Sequence, residues 1–361
     1  MTLAALPGLL LHQAYGPLTP GDPVHPGPRD NAWSALGAGT AATSAGATSP
    51  AAELALEVLE ALLAPRGLHL TEDGSATSIQ RRAVPSAGAS YGVRAHLLEP
   101  AVEGDWRRWA YDQELGTLTL RHPETEFLVP AAWGAAASLG SPGRALLVFS
   151  VLPGRAFSRY RHRAWPLWLA DAAYAAAGAE HLLGPTAVLA SELQGGATAL
   201  RAALAWPRSA HAEAWLRRGL APELPLAVVP LPAARPVWLA ARAERLSARR
   251  SPRHDRFLAR PRRPGGAAER LSEAAQQPWI AGAERVVTWT LDVGAADPRR
   301  LMAAAWAAPL AGGRRLYAEH AEGSWSSRPV SGLVASSGTW VVHALASLRP
   351  DRPATHGGIR T

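Results

Sequence analysis

Apolar residues begin to recur at helical spacing directly after Ser49. The residues that share this spacing are Leu54, Val58, Leu59 and Leu62. Because intervals of three and four place side chains on one face of a helix, and glutamates occupy the opposite face, the pattern predicts an amphipathic helix. Ser49 followed by Pro50 is a typical helix start, and Pro65 and Gly67 mark its end.

Short apolar runs alternate with alanine-rich stretches through the rest of the chain. Strands are predicted at 93–98, 117–120, 145–151, 224–231, 285–291 and 339–345. Helices are predicted at 165–183, around 209–219, at 267–277 and at 298–308. The pattern indicates a protein that mixes helices and strands.

Composition divides the chain into five segments. The lead-in is rich in proline, glycine and alanine, and we expect it to be partly disordered. The linker holds nine arginines against two acidic residues between Arg242 and Arg263, with several prolines, which is typical of an exposed connection. The segments are the lead-in at 1–49, a first domain at 50–241, the linker at 242–266, a second lobe at 267–350 and a tail at 351–361.

The second lobe repeats part of the order of the first. Residues 276–291 have the same helix, turn and strand character as residues 136–151, and residues 340–345 are similar to the strand at 225–231. This similarity indicates a degenerate internal repeat.

The composition excludes several kinds of chemistry. The 361 residues contain no cysteine, which excludes disulfides, thiolate nucleophiles and iron–sulfur ligation. All 37 basic residues are arginine, so no lysine is present to form a Schiff base or to serve a Walker loop. The 12 histidines show no zinc-hydrolase spacing, and we expect no catalytic metal.

The formal net charge of +8 raises the hypothesis of a nucleic-acid partner. The chain uses arginine in place of every lysine and is rich in alanine, glycine and proline, which instead indicates a compositional bias. The linker also has few of the aromatic residues that proteins binding single-stranded nucleic acid use. No uncharged apolar run reaches the roughly 18 residues of a membrane span, and the first residues lack a basic leader with a cleavage site. We therefore expect a cytoplasmic protein without a nucleic-acid or membrane partner.

A pair of arginines precedes a bend of small residues at 81–92, with the sequence Arg-Arg-Ala-Val-Pro-Ser-Ala-Gly-Ala-Ser-Tyr-Gly. Arginine has a planar fork that suits phosphate, and small residues let backbone N–H groups approach a ligand closely. A surface turn with a solvated arginine pair is the alternative. The segment also contains the Gly-x-Ser-x-Gly pattern of hydrolases, but that motif needs a strand before the serine and a helix after it, and here the context is inverted.

A second candidate lies at 158–165, Ser-Arg-Tyr-Arg-His-Arg-Ala-Trp, where the long alanine-rich helix begins. Guanidinium groups on both sides of Tyr160 are expected to lower the pKa of its phenol, which would make it a proton-transfer group. The alternative is a basic helix start with an aromatic side chain at its edge.

Together, the two segments resemble the nitroreductase-fold flavin enzymes of the SagB type, the FMN-dependent azoline dehydrogenases of thiazole- and oxazole-containing, thiopeptide-like peptide biosynthesis. The family pattern Arg-x-x-Pro-Ser-Ala-Gly-Ala-Leu-Tyr-Pro matches Arg82, Pro85, Ser86, Ala87, Gly88, Ala89 and Tyr91. The family's second pattern aligns without gaps on Arg159, Tyr160, Arg163, Trp165, Asp171 and Tyr174. In that pattern Arg159 replaces a lysine and Tyr174 replaces a histidine. The resemblance covers about residues 50–236.

The resemblance implies an α+β, nitroreductase-like fold with a central mixed sheet flanked by helices. It implies an enzyme that uses FMN to oxidise thiazoline, or oxazoline, rings of a ribosomally made precursor peptide to thiazoles or oxazoles. The implied catalytic residues are Tyr160 and Arg159, although a guanidinium is too basic to accept a proton at neutral pH and would instead polarise Tyr160. The implied cofactor-binding residues are Arg81, Arg82, Pro85, Ser86, Ala87, Gly88 and Arg163.

The resemblance also implies partners. These are the azoline-containing precursor peptide, cyclodehydratase proteins and a second copy in a homodimer, unless the second lobe completes a pseudo-dimer within one chain. The linker could contact an acidic leader peptide or the cyclodehydratase. Two other functions stay open: an NAD(P)H-dependent nitro- or quinone reductase with the same pocket, and a flavin-free scaffold of the modification complex.

Overall fold

The computed structural model describes residues 31, 33, 49–71, 73–101, 106–121, 144–185, 189–190, 197–206, 215, 220–292, 298–331 and 339–350. The predicted tail, most of the lead-in, and the predicted helix around 209–219 apart from Trp215 lie outside these residues, as does the first half of the repeat segment at 136–151.

Helices and strands are numbered in chain order. The helices are α1 Pro50–Leu63, α2 Pro153–Tyr160, α3 Ala164–Leu183, α4 Ala197–Ala203, α5 Leu239–Ser247, α6 His254–Leu258, α7 Ala267–Ala275 and α8 Pro298–Ala321. The strands are β1 Leu68–Leu70, β2 Ala76–Gln80, β3 Val93–Pro100, β4 Trp106–Asp112, β5 Thr117–Arg121, β6 Leu146–Val151, β7 Leu189–Ala190, β8 Leu224–Pro230, β9 Arg285–Asp292, β10 Ser326–Val330 and β11 Thr339–Leu348. The six predicted strands are confirmed within a few residues, as are the predicted helices α1, α3 and α7.

A six-stranded sheet with the order β5-β4-β3-β6-β8-β7 forms the centre of the fold. Every described strand pair in it is antiparallel, whereas a mixed sheet was expected. Successive side chains of β6 point to opposite faces, so Leu147 and Phe149 pack towards α1 and α3 while Leu146 and Val148 pack towards α4. Helices therefore cover both faces of the sheet.

Strand β4 is absent from the predictions because two charged residues interrupt its apolar pattern. Arg107 points to solvent, but Arg108 is buried. The guanidinium of Arg108 donates hydrogen bonds to the carbonyl oxygens of Ala203 and Trp106, each at 2.7 Å. These bonds satisfy the buried charge, and so the strand can hold an arginine in its interior.

The long helices α3 and α8 pack closely because small residues face tyrosines across the contact. A methyl group placed on Gly178 of α3 would lie 3.3 Å from the Tyr317 ring, and one on Gly313 of α8 would lie 3.4 Å from the Tyr174 ring. Helix α8 continues through Pro309, where the prediction ended it, because its residues beyond that point pack on α3. Neither of these helices, nor any other in the described part, is long and apolar enough to cross a membrane.

A second sheet, β10-β11-β9, is also antiparallel. In this lobe α8 and β10 lie between the antiparallel neighbours β9 and β11 in the chain, and α2, α3, β7 and α4 lie between the antiparallel neighbours β6 and β8. The shared arrangement supports the proposal of an internal repeat. The two lobes also share one hydrophobic core, to which α8 and β11 contribute Trp306 and Trp340.

Part of the predicted linker is folded and buried, which corrects the expectation of an exposed connection. Helices α5 and α6 fall within or overlap residues 242–266. Leu246 and Phe257 are core residues, and Arg249 is buried with its guanidinium on the carbonyl oxygen of Ala83 at 2.8 Å. The high arginine content led to the wrong prediction, because a guanidinium group can donate to carbonyl oxygens inside a protein as well as face solvent.

Two residues of the lead-in are anchored to a buried carboxylate on the α4 side of the main sheet. Glu223 accepts hydrogen bonds from Asn31 Nδ2 at 2.6 Å, Trp33 Nε1 at 2.9 Å, His96 Nε2 at 2.8 Å and Ser150 Oγ at 2.6 Å. Burial alone would raise the pKa of Glu223, but His96 and the hydroxyl and indole donors hold it below its ordinary value. The disorder predicted for the lead-in therefore does not apply to residues 31 and 33.

Candidate active site

The bend at 86–92 links β2 to β3 and is held by its own serine. The Oγ of Ser86 accepts a hydrogen bond from the backbone N–H of Tyr91 at 2.9 Å. Gly88, Ala89 and Tyr91 have φ angles of 56°, 52° and 45°, in the left-handed region. This conformation is costly for residues with a Cβ, so the bend needs fixed contacts on both sides.

Asp171 of α3 supplies one of these contacts. Its carboxylate accepts hydrogen bonds from Ser86 Oγ at 2.7 Å and from the backbone N–H of Ala87 at 3.1 Å. Burial raises the pKa of Asp171 to about 7, and the two hydrogen bonds offset only part of that effect. The bend therefore offers two converging donors, and an oxygen acceptor occupies both.

Tyr160 and Arg159, at the end of α2, cover the other side of the bend. A Cβ placed on Gly88 would lie 2.2 Å from the phenol oxygen of Tyr160 and 3.0 Å from Nη1 of Arg159. Only glycine therefore allows this approach. Burial raises the pKa of Tyr160, and the lowering by Arg159 is weaker, which corrects the expectation of a depressed phenol pKa.

Arg82 is buried and has an internal role. Its Nη1 donates to the carbonyl oxygen of Leu63 and to Oε1 of Gln113, and its Nη2 donates to Oε1 of Gln80 at 2.8 Å and to Oε1 of Glu114 at 3.0 Å. Its Nε has no hydrogen-bond partner among the described residues. Arg82 thus joins the end of α1 to the turn after β4, and one donor remains for a ligand.

The other two predicted phosphate contacts have different surroundings. Arg81 is on the surface, where its Nη2 donates to the carbonyl oxygen of Arg66 at 2.6 Å. Arg163 precedes α3, and its buried Nε has no hydrogen-bond partner among the described residues.

Tyr174, at the position where the family has histidine, contacts a histidine of the second lobe. Its phenol is 2.9 Å from Nε2 of His343, whose Nδ1 is 2.9 Å from Ser331 Oγ. Burial lowers the pKa of His343 to about 3, so the imidazole is neutral. Arg249, which precedes the second lobe, contacts the carbonyl oxygen of Ala83, three residues before the bend. The sequence alone gave no signal for either contact, since both join residues far apart in the chain.

The residues around the bend suit a phosphorylated flavin in kind. The bend presents the donors Ser86 Oγ and the Ala87 N–H, and two buried guanidinium Nε–H groups, of Arg82 and Arg163, lack partners in the described part. The cavity beside Arg82, Pro85, Ser86 and Tyr91 has room for about one water molecule. This cavity is too small for a flavin, and the side chains of Tyr160 and Asp171 contact the bend itself. The described residues contain no group of three side chains that could hold a metal ion.

Comparison with solved structures places this arrangement in a known fold. The crystal structure of a protein from Anabaena variabilis, described there as a nitroreductase, matches this chain. The TM-score is 0.60 and the identity 12%, over 95% of this chain and 99% of that chain. This chain has a nitroreductase-like α+β fold. The Escherichia coli microcin synthetase complex McbBCD with truncated pro-MccB17 bound gives a TM-score of 0.32 and 19% identity, over 50% of this chain and 64% of that chain, and that score is too low to indicate a shared fold. No protein-family profile and no curated protein matches the sequence.

Proposed function

We propose that the protein is an FMN-dependent oxidoreductase, specifically a dehydrogenase that oxidises thiazoline, or oxazoline, rings of a precursor peptide. The observation that carries the proposal is the contact between the two motif segments. They are separated by more than sixty residues in the sequence, yet the phenol of Tyr160 lies against Gly88 at the centre of the small-residue bend. In a nitroreductase-like fold, this is support for a flavin site at the bend.

Charged residues would bind the phosphate end of FMN, and uncharged donors would bind its ring system. Arg82 and Arg163 each have a free Nε–H in the described part and would hold the phosphate end, because guanidinium donors suit phosphate oxygens. Ser86 Oγ and the N–H of Ala87 would donate to acceptor atoms of the ring system, as they now donate to Asp171. When bound, the flavin would accept the hydride equivalent that leaves the azoline ring.

Proton removal from the ring needs a base, and we propose different roles for the candidate residues. The raised pKa of Tyr160 keeps its phenol protonated at neutral pH, so Tyr160 acts as a hydrogen-bond donor that orients the substrate and passes a proton on. Asp171, whose pKa is about 7, can accept a proton at that pH. The guanidinium of Arg159 would stabilise the negative charge that develops on the Tyr160 oxygen as Tyr160 passes its proton on.

Opening the site has a modest energetic cost. Asp171 would give up two hydrogen bonds, worth about 1 kcal/mol each, and the flavin would replace them at the same donors. Tyr160 would change its side-chain conformation. Flavin binding at the bend would therefore need an opened form in which both side chains have moved.

The experiment is to purify the protein, record its visible spectrum and test the supernatant after heat denaturation for FMN. Apo-protein is then titrated with FMN, and the loaded protein is given an azoline-containing peptide. We expect a yellow protein and a loss of two mass units for each ring oxidised. NADPH oxidation faster than azoline oxidation would instead identify a nitro- or quinone reductase.

A second candidate is a flavin-free scaffold that contacts cyclodehydratase proteins in the same modification complex. The specific observation in its favour is that Asp171 and Tyr160 fill the bend. A colourless protein that does not bind added FMN, but whose omission stops ring formation by the cyclodehydratase, would establish this function and refute the dehydrogenase.

We also propose that the second lobe completes the site within one chain. Nearly all of α3 is buried, with α8 packed along it, and Arg249 and His343 from beyond residue 241 contact Ala83 and Tyr174. A second copy in a homodimer would have to use another surface. Sedimentation of the purified protein tests this, with a monomer as the expected result.

A further inference from the structure

The buried carboxylate of Glu223 divides its two oxygens between different partners. Its Oε2 accepts a hydrogen bond from Ser150 Oγ at 2.6 Å and lies 2.8 Å from Nε2 of His96, and both of these residues belong to the main sheet. Its Oε1 accepts from Asn31 Nδ2 at 2.6 Å and from Trp33 Nε1 at 2.9 Å, and both of these residues belong to the lead-in. The main sheet therefore satisfies one carboxylate oxygen, and the lead-in satisfies the other.

The Asn31 side chain also pairs with the backbone of Ala221. Its Oδ1 accepts from the Ala221 N–H at 2.8 Å, and its Nδ2 donates to the Ala221 carbonyl oxygen at 2.9 Å. A side-chain amide carries an acceptor and two donors, so one asparagine serves Ala221 and Glu223 together. An aspartate would lose the donors and an alanine would lose every one of these bonds, so the position selects an amide.

The Trp33 ring lies between aromatic rings and a guanidinium. It stacks on Trp206 with the ring centroids 5.9 Å apart and an interplanar angle of 4°, and it meets Trp215 edge to face at 5.7 Å and 72°. The guanidinium of Arg121 lies 3.8 Å from the centroid of the Trp33 ring, in a cation–π contact. These three contacting side chains are themselves buried. We call the residues that contact Asn31 and Trp33 the socket: Arg121, Trp206, Trp215, Ala221 and Glu223.

Residues 31–33 form a compact element of their own. The Trp33 N–H donates to the Asn31 carbonyl oxygen at 2.8 Å, which closes a turn over three residues. The two side chains on either end of this turn reach the same carboxylate oxygen of Glu223. The contacts are charge-assisted hydrogen bonds and one indole face, which a short peptide can present without the rest of the chain.

We infer that the socket is a recognition site for a peptide with an asparagine two residues before a tryptophan, and that the lead-in occupies it as a ligand carried by the same chain. A tether holds such a ligand at an effective concentration of about millimolar, so a separate peptide gains the socket only when residues 31–33 no longer fill it. The socket lies on the α4 side of the main sheet, opposite α3 and Asp171. The inference therefore does not rest on the proposed function.

The test opens the socket in the full-length chain with the double variant Asn31→Ala/Trp33→Ala. A fluorescein-labelled peptide of residues 27–37, Gly-Pro-Arg-Asp-Asn-Ala-Trp-Ser-Ala-Leu-Gly, is then titrated with protein and its fluorescence anisotropy is measured. We expect the open-socket variant to bind this peptide about tenfold or more tightly than the wild type does, because the tethered ligand no longer competes. Matched peptides with Asn31→Ala or Trp33→Phe should each bind about tenfold more weakly, since each loses hydrogen bonds to the ionised carboxylate of Glu223.

Two protein controls accompany the peptides, and a cooperative urea transition shows that each variant is folded. Adding Glu223→Gln to the open-socket variant keeps the shape of the side chain but removes its charge, and should weaken peptide binding about tenfold. Adding Trp238→Ala removes an exposed tryptophan outside the socket and should leave binding unchanged. Equal peptide affinity of the wild type and the open-socket variant, or full affinity of the Trp33→Phe peptide, would refute the inference.

Hydrogen exchange of the wild type provides a measurement that needs no substitution. The Ala221 N–H donates to Asn31, whereas β8 is paired on both sides within the main sheet. If residues 31–33 leave the socket without unfolding of the protein, the Ala221 amide should exchange about tenfold or more faster than the central amides of β8. Equal protection would mean that the lead-in leaves only on global unfolding, and the description of it as a ligand would be wrong. A wild-type dimer that Asn31→Ala/Trp33→Ala converts to a monomer would overturn the assignment of the ligand to the same chain.

Discussion

Gly88→Ala is the substitution that most directly tests the contact between the two motif segments. The new methyl group would lie 2.2 Å from the Tyr160 phenol oxygen, so Tyr160 must leave its position. The φ angle of 56° adds strain of about 1 kcal/mol for a residue with a Cβ. An off-rotamer or displaced tyrosine adds about another 1 kcal/mol. We therefore expect a loss of about 2 kcal/mol in the free energy of unfolding, measured by urea denaturation.

Repeating the substitution in Tyr160→Phe separates the two effects. Without the phenol oxygen, the nearest atoms are Nη1 of Arg159 at 3.0 Å, at the end of a flexible side chain, and the ring Cζ at 3.2 Å, and small shifts relieve both contacts. Gly88→Ala should then cost only the strain of about 1 kcal/mol, which leaves a coupling energy of about 1 kcal/mol between the positions. An equal cost in both backgrounds would show that Tyr160 does not lie on the bend, and the proposed site would lose its main support.

Other substitutions test the remaining roles. Because the pKa of Asp171 is raised to about 7, between about pH 4 and 7 the folded protein binds a proton that the unfolded chain releases. The free energy of unfolding of the wild type should therefore fall relative to that of Asp171→Asn as the pH rises from about 4 to 7, and then level off. A constant difference over that range would contradict the raised pKa. In the loaded enzyme, Tyr160→Phe should slow azoline oxidation at least tenfold with FMN retained, and wild-type turnover would remove Tyr160 from proton transfer. Arg82→Ala should lower the free energy of unfolding by about 3 kcal/mol, measured by chemical denaturation, and should weaken FMN retention, measured by FMN titration. Arg81→Gln should change neither quantity. Glu223→Ala should destabilise the fold by about 3 kcal/mol, because Trp33, His96 and Ser150 lose the acceptor of their hydrogen bonds and Asn31 keeps only its bonds to other groups; a loss below 1 kcal/mol would refute the network.

The sequence was a good guide where local pattern decides structure. The helix after Ser49 follows from capping and spacing, and the Ser49 hydroxyl does accept a hydrogen bond, from Ala52 N at 3.1 Å. Strands β3, β6 and β8 follow from their apolar runs. These elements depend on neighbours in the chain, so their signals are present in any short window of the sequence.

It was a poor guide where distant partners decide the outcome. The phosphate contact expected of Arg82 stays a prediction, but its four internal acceptors, three of them distant in the sequence, were not foreseen. Burial, which no local pattern reports, reverses the expected shift in the pKa of Tyr160 and brings Asp171 into the range for proton transfer. Arg249 was counted as part of a linker, and only the folded chain shows it reaching Ala83.

The glycine–tyrosine contact between α3 and α8 lies within a single polypeptide. In a symmetric homodimer every substitution occurs twice, once in each copy, so a change that suits one active centre is imposed on the other. Here Gly178 can change without Gly313, and Tyr174 without Tyr317. Because both helices belong to one chain, dilution cannot separate them.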